Sequence, residues 1–149
     1  TLSGNTTISR NRLTRHAVYG YWNSSWPVRV VLDGNTIAGF PGLLANARVA
    51  YEYRGLHAAL VLQHVGEFGT DKFQNPGAGR VDPGRRVDAS TVLHAWLNAE
   101  LPVAFLGTSL EARLQVNNLL DAVYAMHGEG SQFFPAAGRN VFASLRINL

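Results

Sequence analysis

The chain has 149 residues, 46% of them hydrophobic and 15% charged, with no cysteine and a formal net charge of +3. The charged share is well below the roughly 25% of ordinary soluble domains, and the lack of cysteine excludes disulfides and thiolate metal sites. No run approaches the ~18 apolar residues of a membrane helix. The basic excess is scattered: Arg10, Arg12 and Arg15 form its densest group, without the stripe and motif that nucleic-acid binding requires.

Leu2 to Arg12 reads as a weak strand rich in Thr, Ser and Asn. No basic-then-apolar leader precedes it, and Thr1 falls inside strand-like sequence, so a fragment lacking its N-terminal part is expected. Residues 13–42 read as irregular, with Trp22, Trp26, Pro27 and the turn Asp33-Gly34-Asn35. Leu44 to Arg54 alternates, with Ala45, Ala47, Val49, Tyr51 and Tyr53 on one face and Asn46, Arg48, Glu52 and Arg54 on the other. Arg54-Gly55 predicts a tight turn, after which Leu56 to Val65 returns with Leu56, Ala58, Leu60 and Leu62 opposite His57 and Gln63. Residues 66–88 are a loop by their Gly, Pro, Asp and Arg content.

Ala89 to Leu101 resumes the alternation, with Leu93, Ala95, Leu97 and Ala99 against Ser90, His94, Asn98 and Glu100. Residues 102–108 form a short connection. Leu110, Ala112, Leu114 and Val116 then face away from Glu111, Arg113, Gln115 and Asn117, and residues 118–138 read as irregular. The closing segment, Arg139 to Leu149, places Val141, Ala143, Leu145, Ile147 and Leu149 on one side and Asn140, Ser144, Arg146 and Asn148 on the other, with Phe142 the exception.

About six strands result, each near the ~10 residues that a tilted strand needs to cross a bilayer, where soluble strands usually run five or six. The connections alternate long, short, long, short, long, as in outer-membrane barrels with short periplasmic turns and longer outer loops. Arg48, Glu52, Glu111, Arg113 and Arg146 all fall on the polar faces, where a hydrated lumen would receive them. Six strands with two free edges would leave unpaired backbone groups in lipid, at several kcal/mol each. The expected fold is therefore all-β, an antiparallel transmembrane β-barrel segment of about six strands that belongs to a larger barrel or closes with other copies. A soluble β-sandwich and a passive channel or autotransporter-type barrel are the rival readings.

Val116-Asn117-Asn118-Leu119-Leu120-Asp121 with Tyr124, and Phe134-Pro135-Ala136-Ala137-Gly138-Arg139-Asn140-Val141-Phe142, resemble the C-terminal end of TonB-dependent outer-membrane receptors. Asp33-Gly34-Asn35 with Ala38-Gly39-Phe40-Pro41 resembles a segment before a late strand of the same family. The resemblance spans nearly the whole chain and is most specific in the last thirty-odd residues. Leu120 stands where the family has an aromatic, and Leu149 where it ends on Phe or Trp. The resemblance implies a C-terminal portion, residues 1–149, of a 22-stranded barrel plugged by an absent N-terminal domain. It also implies uptake of a scarce nutrient such as a ferric siderophore, cobalamin, haem or a sugar, driven by the TonB complex. The implied partners are outer-membrane lipid, the TonB complex through the missing part, the barrel-assembly machinery through Leu145, Ile147 and Leu149, and a small-molecule or metal-chelate ligand. No nucleic acid, cofactor, metal or enzymatic activity is implied.

Loop residues are the natural ligand contacts: Trp22 and Trp26 in the first long connection, and His127, Glu129, Phe133 and Phe134 in the last. Tyr51, Tyr53 and Trp96 suit an interfacial aromatic girdle. His16, His57, His64, His94 and His127 have no compact ligand spacing, and geometry as well as ligand type is needed for a metal. Gly77-Ala78-Gly79-Arg80 lacks the strand and helix of a phosphate loop. Asp88, Glu111 and Arg113 make no nucleophile–base pair.

Overall fold

The computed structural model describes residues 1–20, 28–73, 85–103 and 108–148. Among these the chain is all-β, with strands β1 (Leu2–Ile8), β2 (Ala17–Gly20), β3 (Val28–Val31), β4 (Leu43–Tyr53), β5 (Leu56–Val65), β6 (Phe68–Gly69), β7 (Arg86–Val87), β8 (Ser90–Val103), β9 (Thr108–Asn117), β10 (Ala125–Glu129), β11 (Gln132–Pro135) and β12 (Asn140–Asn148). The six long strands make one antiparallel sheet in the order β1-β4-β5-β8-β9-β12, an up-and-down meander. The sheet is open, with β1 and β12 at its edges. No described helix is long and apolar enough to cross a membrane.

Residues opposite one another in a sheet share a face, so the register decides which side chains lie together. Leu2, Val49, Leu60, Ala95, Val116 and Val141 form one line across all six strands. Two residues along each strand, the apolar rows of Leu97, Leu114 and Ala143 continue on the same face. The other face carries Arg48, Glu52, His57, Asn98, Arg113 and Ser144 in matched rows. The alternation seen strand by strand therefore sums to two continuous surfaces of opposite character.

The same line shows that the sheet is sheared. It crosses β1 at the first residue of that strand and β9 at the second-last of its ten, with β4, β5 and β8 crossed near their middles. The strand centres slide by roughly one residue per strand, and ~3.3 Å per residue against ~4.8 Å between strands makes a tilt of about 35°. Barrel walls need a tilt of this size to close. Ten residues tilted so rise about 27 Å, close to the ~25 Å apolar band of a membrane barrel.

Neither face of the sheet is a buried core. Leu145 is 74% exposed, Ile147 66% and Val49 54%. The buried side chains Leu32, Thr70, Val87, Val92 and Asn118 gather at the end of the sheet where the three long connections emerge. There the connections are hydrogen-bonded in series. Gly39 N donates to Gly69 O at 2.9 Å, Asn35 Nδ2 to Lys72 O at 2.9 Å and Gly130 N to Thr70 O at 3.4 Å. Thr70 Oγ1 returns a short bond to Gly130 O.

Two stretches read as irregular carry ordered hairpins instead. Ala17–Gly20 pairs with Val28–Val31, and Ala125–Glu129 with Gln132–Pro135 around Gly130 at φ 59°. Residues 66–88 contain the two-residue pairing of β6 with β7. Each pairing is too short for period-2 alternation to show over the several residues that a sequence pattern needs.

Candidate functional site

Two places concentrate functional side chains: the polar face of the sheet and the end formed by the long connections. On the polar face, Arg113 donates to Glu111 Oε1 from Nε at 2.8 Å and from Nη2 at 2.6 Å. Arg146, opposite Glu111 across the β9–β12 ladder, brings Nη1 to 3.9 Å from Oε2. Gln115 Nε2 donates to Asn117 Oδ1, and Asn117 Nδ2 to Asn140 Oδ1, both at 2.9 Å. His57 Nδ1 lies 3.4 Å from Glu52 Oε1 on the paired strand. Asn98, opposite His57 and Arg113, keeps a buried Oδ1 without a hydrogen-bond partner among the described residues.

A trough of about 700 Å³ crosses this face, lined by Arg48, Glu52, His57, Trp96, Arg113 and Phe142 among others. Its lining combines cations, a carboxylate, amides and aromatic rings. No group of three or more metal-ligating side chains occurs among the described residues.

Trp96 lies on this polar face, between Ala59 and Gln115, with its ring 5.9 Å from that of His94 and nearly parallel at 19°. It is thus separated from the aromatic girdle expected with Tyr51 and Tyr53, because it is an even step from His94 and Asn98, and period 2 puts all three on one side. Tyr51 and Tyr53 do sit together on the apolar face, 6.4 Å apart at the β4–β5 turn, with Arg54 5.1 Å above the Tyr53 ring. Arg54 and Gly55 of that turn both take positive φ, the backbone that a two-residue hairpin turn demands.

The last long connection presents His127 stacked on Phe134, with centroids 5.8 Å apart. Glu129 is two residues on, opposite Gln132, and so shares their side of the hairpin. Phe133, opposite Gly128, lies on the other side. Gly128 faces the β6–β7 connection so closely that a Cβ there would come within 2.5 Å of Thr70 Cγ2 and 3.2 Å of Val87 Cγ2. Trp22, Trp26 and Leu149 lie outside the described residues, whereas Leu145 and Ile147 are exposed on the apolar face.

Sequence reasoning missed Asn118 and Asp121 as structural centres. Both adopt positive φ, 52° and 56°, which Asn and Asp tolerate better than other residues with a Cβ. Asn118 Nδ2 donates to Ala122 O at 2.8 Å and Ala137 O at 3.3 Å, while Oδ1 accepts from Ala122 N at 2.8 Å. Asp121 Oδ1 accepts from Arg139 N at 2.7 Å. The signal was present in the Asn-Asn-Leu-Leu-Asp run, since these are the residue types that make side-chain-to-backbone turns.

No family model matches the chain, and no curated protein matches its sequence.

Proposed function

We propose that the six-stranded sheet is part of the wall of an outer-membrane β-barrel, with its apolar face against lipid and its polar face toward a hydrated interior. The observation that carries this reading is the register. It gathers the alternate apolar residues of all six strands onto one surface that no second sheet covers among the described residues. A soluble sandwich would lay another sheet about 10 Å above that surface. Lipid covers it without one. The shear across the sheet supports the same reading, as does the gathering of all long connections at one end.

Within that reading, the barrel is the C-terminal part of a TonB-dependent receptor that imports a scarce nutrient such as a ferric siderophore. Support comes from the two segments that carry the family resemblance. They meet in space through Asp121 and Arg139 N and through Asn117 and Asn140, as parts of one structural unit. The end with the long connections is then the outer mouth, where His127, Glu129 and Phe134 face incoming ligand. Disrupting the reading frame in its host should abolish energy-dependent uptake of one such nutrient. Uptake lost but insensitive to dissipating the inner-membrane potential would favour a passive channel, and unchanged uptake of every nutrient tested would contradict transport.

A further inference from the structure

We propose that the pocket lined by Arg10, Arg12 and Arg86 at the long-connection end of the sheet binds the phosphate of an anionic lipid headgroup, an inference that rests on the membrane reading above. The pocket has a volume of about 260 Å³ and joins the three arginines to Glu67, Phe40 and Phe68. Arg86 is held by Glu67 at 3.3 Å and Asp88 at 3.1 Å. Arg10 and Arg12 are exposed, and among the described residues neither has a carboxylate within salt-bridge distance. The pocket thus has a surplus of guanidinium charge, and guanidinium groups match phosphate oxygens in bidentate geometry.

Its position selects an amphiphile over a free anion. Ser9, which lines the pocket, directly follows Ile8, which is 82% exposed at the end of β1 and paired with Leu43 on the apolar face, and donates its N–H to Gly42 O at 3.0 Å just before β4. At the same end the apolar face is interrupted by His64 and Thr91, hydrogen-bonded at 2.8 Å. This polar pair marks where hydrocarbon contact gives way to headgroup contact. A phosphate between Arg10 and Arg12 lets its acyl chains pass Ile8 and Leu43 onto the apolar face of the sheet, and Phe40, 57% exposed, offers further apolar surface that a bare phosphate would leave unused.

The test is co-sedimentation of the full chain with preformed phosphatidylcholine vesicles and with vesicles containing 30% phosphatidic acid, by the composition of the mixture. Phosphatidic acid should raise the bound fraction's partition coefficient roughly tenfold or more, since each basic residue near an anionic surface is worth about a fivefold gain. The Arg10→Gln/Arg12→Gln variant should lose most of that gain. An Arg29→Gln/Arg139→Gln variant, with the same net charge but outside the pocket, should keep it. An equal gain in all three proteins would overturn the site, as would equal loss in both variants or abolition of the gain by millimolar inorganic phosphate at constant ionic strength. Association of the unmodified chain with neutral vesicles reports separately on the membrane reading. If it fails there, that reading fails with it; if it binds neutral vesicles without an anionic gain, only the headgroup site is lost.

Discussion

The body of the sheet and the end where its long connections meet are stabilised in opposite ways. Across the sheet body, six strands are joined by ladders, yet Leu145, Ile147 and Val49 stay more than half exposed. At the long-connection end, Leu32 is only 1% exposed and Val87 2%, among backbone groups that bond from one connection to the next. Among the described residues the loop end has a core, joined by Val92 from the start of β8, and the body of the sheet has none. In a water-soluble domain the order is reversed, because loops run over a surface and sheets cover the core. The inversion fits the proposal that the apolar face of the sheet meets lipid while the long connections order themselves in water.

The contrast can be broken from the loop side. Leu32→Ala should have the largest effect, about 2–5 kcal/mol, as for other fully buried leucines. Amide exchange should rise throughout the docked connections while the β5–β8 and β8–β9 ladders keep their protection. Loss of protection in both regions together would mean that they form a single cooperative unit. Asn118→Ala should follow at about 1–3 kcal/mol, since it leaves buried backbone partners unsatisfied. Its mark would be faster exchange at Ala122, whose N–H bonds to the Asn118 side chain.

Gly128→Ala should cost about 1–3 kcal/mol by overpacking against Thr70 and Val87. A Thr70→Ser partner, which removes the methyl that the new Cβ would meet, should recover part of the loss, and failure to recover would show that the clash lies elsewhere. Phe134→Ala should have the smallest effect, below about 1.5 kcal/mol, because it removes only an exposed ring contact with His127. Its thermal stability should stay near that of the unmodified protein even if ligand capture falls.

The long strands were legible in the sequence because period-2 alternation over ten residues has no local competitor. Leu56 to Val65 was placed to the residue, and the other long strands to within a few. Trp96 shows where the reasoning by residue type went astray. Its parity with His94 and Asn98 put it on the polar face, while aromatic character alone suggested an interface. The buried cluster was illegible for a different reason. Leu32, Thr70, Val87, Asn118 and Gly128 come from three separate connections, and each looks polar or glycine-rich when read alone. Only the meander, by bringing the three connections to one end, turns those scattered residues into a core.

The facing of the sheet is most directly tested by one pair of neighbouring substitutions. Leu114 lies on the apolar face between Leu97 and Ala143, and Gln115 on the polar face between Trp96 and Phe142. Insertion into vesicles should be measured for Leu114→Arg and Gln115→Arg by protection of the strands from added protease. Leu114→Arg should destabilise the inserted state by roughly 2–4 kcal/mol, as an arginine does at mid-depth on a lipid-facing strand, and Gln115→Arg should insert like the unmodified protein. Equal protection of the two variants, or greater loss for Gln115→Arg, would contradict the placement of the apolar face against lipid.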